Sequence, residues 1–250
     1  MDSVTRLRPI WERLAIEHEG TVLLDRRLDL YTSEELERLV RRVKACLKPM
    51  SGKWTTVKSL ELRWIIEPYL APGGRWFFNS PGFISSVLYA DLDNPDATWQ
   101  TLIPANDAPI QYSAMSYEHI VGTPTLTIHI AVAVGRSFLP SETSEPVHKR
   151  RTDVHEISVW RISPRFDGDG RIDGLQAERI SHFRHSPKAK AVTFVRIQGE
   201  RLIYTVDKPS CACTVVRWAE ANNRIDYPRQ LVYHSGCHVR CFLMSNLSPF

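Results

Sequence analysis

The chain has 250 residues, 43% of them hydrophobic and 24% charged, with 32 basic and 28 acidic side chains for a formal net charge of +4. This is an ordinary globular composition, long enough to bury one large core or two small ones. The balanced, interspersed charge argues against nucleic acid as a partner, and no run is long and clean enough to span a bilayer, which argues against a membrane partner.

Residues 1–52 form the first region and read as helical. Val4, Leu7, Trp11 and Leu14 fall three and four apart, one face of a helix, but Pro9 interrupts the run. Proline is tolerated in a first turn, so the helix is predicted to begin near Pro9 with Ile10, Trp11 and Leu14 on its apolar side. A second helix carries clearer signals. Thr32 and Glu35 form a capping box, Tyr31 and Leu36 form the matching hydrophobic staple, and Leu36, Leu39, Val40, Val43 and Leu47 continue the stripe to Pro49 and Gly52. Arg38, Arg41 and Arg42 lie mostly off that stripe, as on a surface helix packed against the next region; a basic interaction helix is the other reading.

Residues 53–250 form a second, β-rich region. Leu60, Leu62, Trp64 and Ile66 alternate with the period of a strand. After the reversal at Pro72-Gly73-Gly74 come Trp76-Phe77-Phe78, the breaker Ser80-Pro81-Gly82, and a strand through Val87, Leu88, Tyr89 and Leu92. Further strands are predicted at 99–103, 110–119, 125–134, 154–162, 177–183, 191–197, 201–206, 214–218, 230–233 and 238–244. Between two of them, Ser137 to Arg151 is a polar loop.

Three strands share an aromatic-centred pattern, Val87-Leu88-Tyr89-Ala90-Asp91, Ser158-Val159-Trp160-Arg161 and Val216-Arg217-Trp218-Ala219-Glu220, each followed by a polar turn. The first and third follow a similar strand, Arg75 to Phe78 and Arg201 to Tyr204. Such repetition predicts a mainly β fold of incomplete β-propeller-like repeats, about three blades, preceded by a short two-helix segment; a β-sandwich is the alternative. A propeller closes with more blades than this, so the chain is read as a fragment of a longer protein or a shortened product, marginal on its own or dimerising through its open edge.

Taken together, the helical stretch with Trp11, then Leu30 to Glu37 (LYTSEELE), Pro72 to Trp76 (PGGRW) and Val87 to Leu92 (VLYADL), resembles the region downstream of the F-box in the large F-box protein families of basidiomycete fungi. The likeness covers residues 4–110 well and the remainder only by repeat style. In that family the F-box binds the adaptor of a cullin–RING ubiquitin ligase, and a propeller-like β region holds the protein substrate. No F-box pattern precedes Trp11, so the resemblance implies binding to the ligase adaptor only if an F-box lies upstream.

No catalytic, cofactor or metal residues are assigned. Cys211, Cys213, His234, Cys237, His238 and Cys241 carry metal-ligand chemistry, but no C-x-x-C pair exists and free cysteines in strands are the plainer reading. Asp167, Asp169, Asp173 and Glu178 imitate a calcium loop, yet Ile172 stands where its glycine is needed, so a hairpin is predicted. His155, His182 and His185 lack a nucleophile motif, and Trp76, Trp160 and Trp218 read as core. Five cysteines without a secretion signal fit reduced thiols and a cytoplasmic or nuclear location. The function expected is therefore that of a non-enzymatic protein-interaction module, with the Ser137–Arg151 loop and the Asp167–Gly174 turn as contact surfaces. Two alternatives remain: a small-molecule or glycan-acting β enzyme with carboxylates such as Asp91, Asp93 and Asp169, or a truncated product without independent function.

Overall fold

The computed structural model describes residues 8–17, 24, 27–47, 65–81, 86–94, 96–105, 110–121, 123, 125–136, 154–168, 172–185, 192–206, 212–224 and 226–233. Helix α1, Arg8–Glu17, carries Pro9 in its first turn as its missing N–H allows. After a 3-10 turn at Leu28–Leu30, helix α2 runs Ser33–Leu47. The capping box forms: the Thr32 N–H donates to Glu35 Oε2 at 2.7 Å, and the Glu35 N–H donates to Thr32 Oγ1 at 3.3 Å. Two amides that a helix start would leave without partners are thereby satisfied. Tyr31 and Leu36 are both buried, as a staple requires, and pack with Trp11, Ala15 and Val40 between the helices. Ile10, expected on the apolar side of α1, is instead exposed, because Trp11 and Ala15 one turn apart make the contact with α2. Val4, Leu7 and Lys53 to Trp64 lie outside the described residues, as does the boundary near 52.

The rest of the described chain is mainly β. Its twelve strands form three open four-stranded antiparallel sheets, each joined in simple sequence order. The first sheet holds β1 (Ile65–Leu70), β2 (Trp76–Pro81), β3 (Val87–Asp91) and β4 (Gln100–Ile103). The second holds β5 (Ile110–His119), β6 (Ile128–Arg136), β7 (Val154–Phe166) and β8 (Ile172–Arg184). The third holds β9 (Val192–Gln198), β10 (Arg201–Val206), β11 (Ala212–Arg217) and β12 (Gln230–Tyr233). The three aromatic-centred segments fall on β3, β7 and β11, the third strand of each sheet. The repeat therefore marks one structural position three times over. It departs from expectation at Trp218, which opens the short helix α3 (Trp218–Ala221) rather than ending a strand. His238 to Met244, expected as a strand, lies outside the described residues.

The sheets stack face to face with the second in the middle. Trp76, Phe78, Val87 and Tyr89 of the first sheet pack against Met115, Ile128, Ile130 and Val132 of the second. Ala131, Ala133, Ile157 and Val159, on the opposite face of that second sheet, pack against Val195, Ile197, Leu202 and Tyr204 of the third. Alternation along β6 sends branched side chains one way and alanines the other, the period-two rule applied to a strand buried on both faces. Polar bonds to backbone stitch the layers. Tyr89 Oη accepts the Leu175 N–H at 3.3 Å, Ser116 Oγ accepts the Ile197 N–H at 3.2 Å, and both Glu118 carboxylate oxygens accept the Gly199 N–H at 2.7 and 2.9 Å. These bonds bring the β9–β10 turn to the same end of the stack as the end of β5.

Replacing Thr32 by Ala is expected to lower the unfolding free energy by about 1 kcal/mol in urea denaturation, while Ser at this position keeps most of it. Phe78 is fully buried and its ring lies 6.0 Å from Tyr69 and 5.9 Å from Tyr117. Phe78→Ala should cost about 3–5 kcal/mol, read as a large drop in the urea midpoint.

Candidate functional site

A cleft lies where α2 meets the first sheet, and the β1–β2 turn builds it. Gly73 and Gly74 adopt φ of 86° and 71°, a region where a side chain is strained. A Cβ on Gly74 would also come within 3.1 Å of Arg42 Cδ, so glycine lets the arginine stem pass. Arg42 then donates to the Gly73 carbonyl at 2.9 Å and pairs with Asp93 in the β3–β4 turn. Arg75 grips Asp91 with two bonds of 3.1 and 2.9 Å, and its guanidinium lies 4.5 Å from the centre of the Trp76 ring. Asp91 Oδ1 also accepts the Asp93 N–H at 2.9 Å, closing an Asx-type turn.

These groups border a cleft of about 230 Å³ that Tyr31, Arg38 and Leu39 overhang from the helical side. Its three arginines equal in number its three carboxylates, Glu35, Asp91 and Asp93, so its formal charge balances. Trp76 forms part of the wall, 1% exposed, and its Nε1–H has no hydrogen-bond partner among the described residues. The arrangement can hold a helix against a sheet end and present a polar hollow beside the joint.

Other residues singled out by the sequence are dispersed. Asp91 and Asp93 do come together, each engaged by an arginine; Asp169 lies outside the described residues. The expected Asp167–Gly174 turn falls between β7 and β8, but Asp173 and Gly174 are already on β8, and residues 169–171 lie outside the described residues. Asp173 pairs with Arg165 at 2.9 Å and Glu178 with Arg161 at 2.7 Å. Cys213 is buried in β11, while Cys211, His234, Cys237, His238 and Cys241 lie outside the described residues, as does the Ser137–Arg151 loop. No group of three or more His, Cys, Asp or Glu side chains among the described residues is placed to hold a metal ion. His182 Nδ1 lies 3.1 Å from Ser158 Oγ, and His185 Nδ1 lies 2.7 Å from the buried Tyr204 hydroxyl. Burial, reinforced by neighbouring Tyr227, pushes that hydroxyl well above its ordinary pKa, so it stays protonated. Trp76 is core, Trp160 packs partly buried against the first core, and Trp218 donates from Nε1 to the Gly199 carbonyl at 2.8 Å.

Sequence reasoning missed Arg42, which it placed with the surface arginines. Its spacing on the helix carries no sign of the sheet it reaches 31 residues later at Gly73. It also missed His129, whose ring meets Trp218 edge-on at 5.6 Å. Its Nδ1 is buried without a partner among the described residues.

No protein-family model matches this chain, and no curated protein matches it either. Among the described residues, no helix is long and apolar enough to cross a membrane.

Arg42→Ala should release α2 while leaving the stacked sheets intact, at a local cost of about 1–3 kcal/mol. Hydrogen exchange checks this: amides of α2 should lose protection and those of β6 should keep it. Burial, then the nearby Arg161 charge, lowers the pKa of His129 from 6.5, and burial also lowers that of His119. Below 6.5 the unfolded chain therefore binds more protons than the folded one, and stability falls as pH falls. Urea midpoints should drop from about pH 7.5 to about pH 5, with a shallower drop in His129→Phe.

Proposed function

We propose that this chain is a non-enzymatic protein-interaction module resembling the substrate-receptor part of an F-box protein of a cullin–RING ubiquitin ligase. Its three sheets are successive blades of a propeller-like array. The observation that carries the reading is the stack itself. Three consecutive four-stranded meanders pack layer on layer, and the middle one buries both faces against its neighbours. A propeller blade has this environment, whereas a two-layer sandwich leaves each sheet one outer face. The first strands also lie side by side: Tyr69 of β1 stacks on Tyr117 of β5 at 4.7 Å, and Ser116 of β5 bonds to β9.

Interaction rather than chemistry is favoured by the roles of Asp91 and Asp93, both engaged in holding the joint between α2 and the sheet. At the stack end that carries the β5–β6 and β7–β8 turns, Val121 is 79% exposed and Phe166 is 40% exposed. Exposed apolar side chains at such a sheet end are suited to a protein partner. A cytoplasmic or nuclear location accompanies this reading.

The test is affinity capture with the purified chain against a double variant, Val121→Glu with Phe166→Glu. Wild type should retain a protein partner stoichiometrically, and the variant should lose it while melting at the same temperature. Equal recovery by both, or no stoichiometric partner, overturns the reading.

A further inference from the structure

We propose that the Arg201–Arg217 end of the third sheet, on the face turned away from the second, seats an acidic segment of a partner protein, with a carboxylate held between Arg201 and Arg217. Leu202, Tyr204 and Val216 point into the core shared with the second sheet, so Arg201, Val215 and Arg217, one residue out of phase, lie on the opposite face. Ile203 and Cys213 on that face are buried, whereas Arg201 and Arg217 at its end are exposed. Arg201 and Arg217 stand directly opposite each other across the β10–β11 ladder. Like charges in that register destabilise a sheet, so folding alone gives no reason for the pair. Arg217 is bonded to Glu220 at 3.0 Å and also lies near Glu200, whereas Arg201 makes no ion pair or side-chain hydrogen bond with any described residue.

Around the pair is a cleft of about 370 Å³, walled by Val215, Glu220, Pro228, Arg229 and Gln230, so its three arginines exceed its one carboxylate. Arg229 lies 4.2 Å from the centre of the Tyr227 ring. Adjacent strands lie about 4.8 Å apart, so one carboxylate can accept from both guanidinium groups. Val215 beside the pair, and the exposed Val232 on the neighbouring strand, give apolar contact for the residues flanking that carboxylate. Protein is favoured over nucleic acid because Tyr227 is only 5% exposed beneath Arg229 and offers no free ring on which a base could stack. That the partner is a protein rests on the interaction-module reading above; the charge geometry of the cleft does not.

The experiment is fluorescence anisotropy with a short labelled peptide alternating glutamate and valine, beside its glutamine analogue and a single-stranded oligonucleotide. The glutamate peptide should bind and the glutamine analogue should bind at least about tenfold more weakly. Arg201→Gln should weaken glutamate-peptide binding by at least about tenfold, yet leave the urea midpoint equal or higher, since the like-charge opposition is gone. Arg217→Gln, measured in parallel, should weaken binding to a similar extent. Unchanged peptide affinity in both variants, no binding by wild type, or tighter binding of the oligonucleotide that both variants abolish would each overturn the proposal. If capture depends on Val121 and Phe166 but not on Arg201, the interaction module stands and this cleft falls.

Discussion

The middle sheet is squeezed from both sides, and the rest of the molecule follows from that constraint. Strand β6 is buried along nearly its whole length, with Ile128, Ile130, Val132 and Val134 turned to the first sheet and Ala131 and Ala133 turned to the third. Each buried branched side chain contributes about 1.5–3 kcal/mol. The alanines contribute less, but their small size lets the third sheet approach closely. Asymmetry in side-chain size between the two faces thus sets two different inter-sheet contacts from a single strand.

Apolar contact is non-directional and does not fix how one sheet slides over the next. The polar bonds that cross the layers do. Tyr89 reaches the backbone of β8, Ser116 and Glu118 reach the end of β9, and Ser181 Oγ donates to the Trp218 carbonyl at 2.7 Å. In each, a side chain of one sheet meets a backbone group outside that sheet, and displacement by one residue would break the bond. Arg42 performs the same office between α2 and the first sheet, taking a carbonyl and a carboxylate from two turns at once.

Exposed apolar and basic groups gather at the ends of these sheets. Val121 and Phe166 stand out at the turns of the second sheet, while Arg201, Arg217 and Arg229 surround the hollow on the third. The hollow beside α2 differs in kind, since Arg42 and Arg75 in it are paired with Asp93 and Asp91. The first two surfaces carry exposed side chains; the third joins parts of the same chain.

Much of the local structure was legible in the sequence because its causes are local. The Thr32–Glu35 capping box, Pro9 in a first turn, the Gly73-Gly74 reversal and the strands through Ile110–His119, Arg201–Val206 and Gln230–Tyr233 all follow from residues adjacent in the chain. The aromatic repeat even marked the third strand of each sheet, since that strand keeps the same neighbours in every meander. The partners of Arg42, the exposure of Ile10 and the opposition of Arg201 to Arg217 could not be read this way. Each depends on which residues a distant segment places alongside. Only the tertiary structure decides that, because a helix or strand pattern states which face is apolar and says nothing of what covers it.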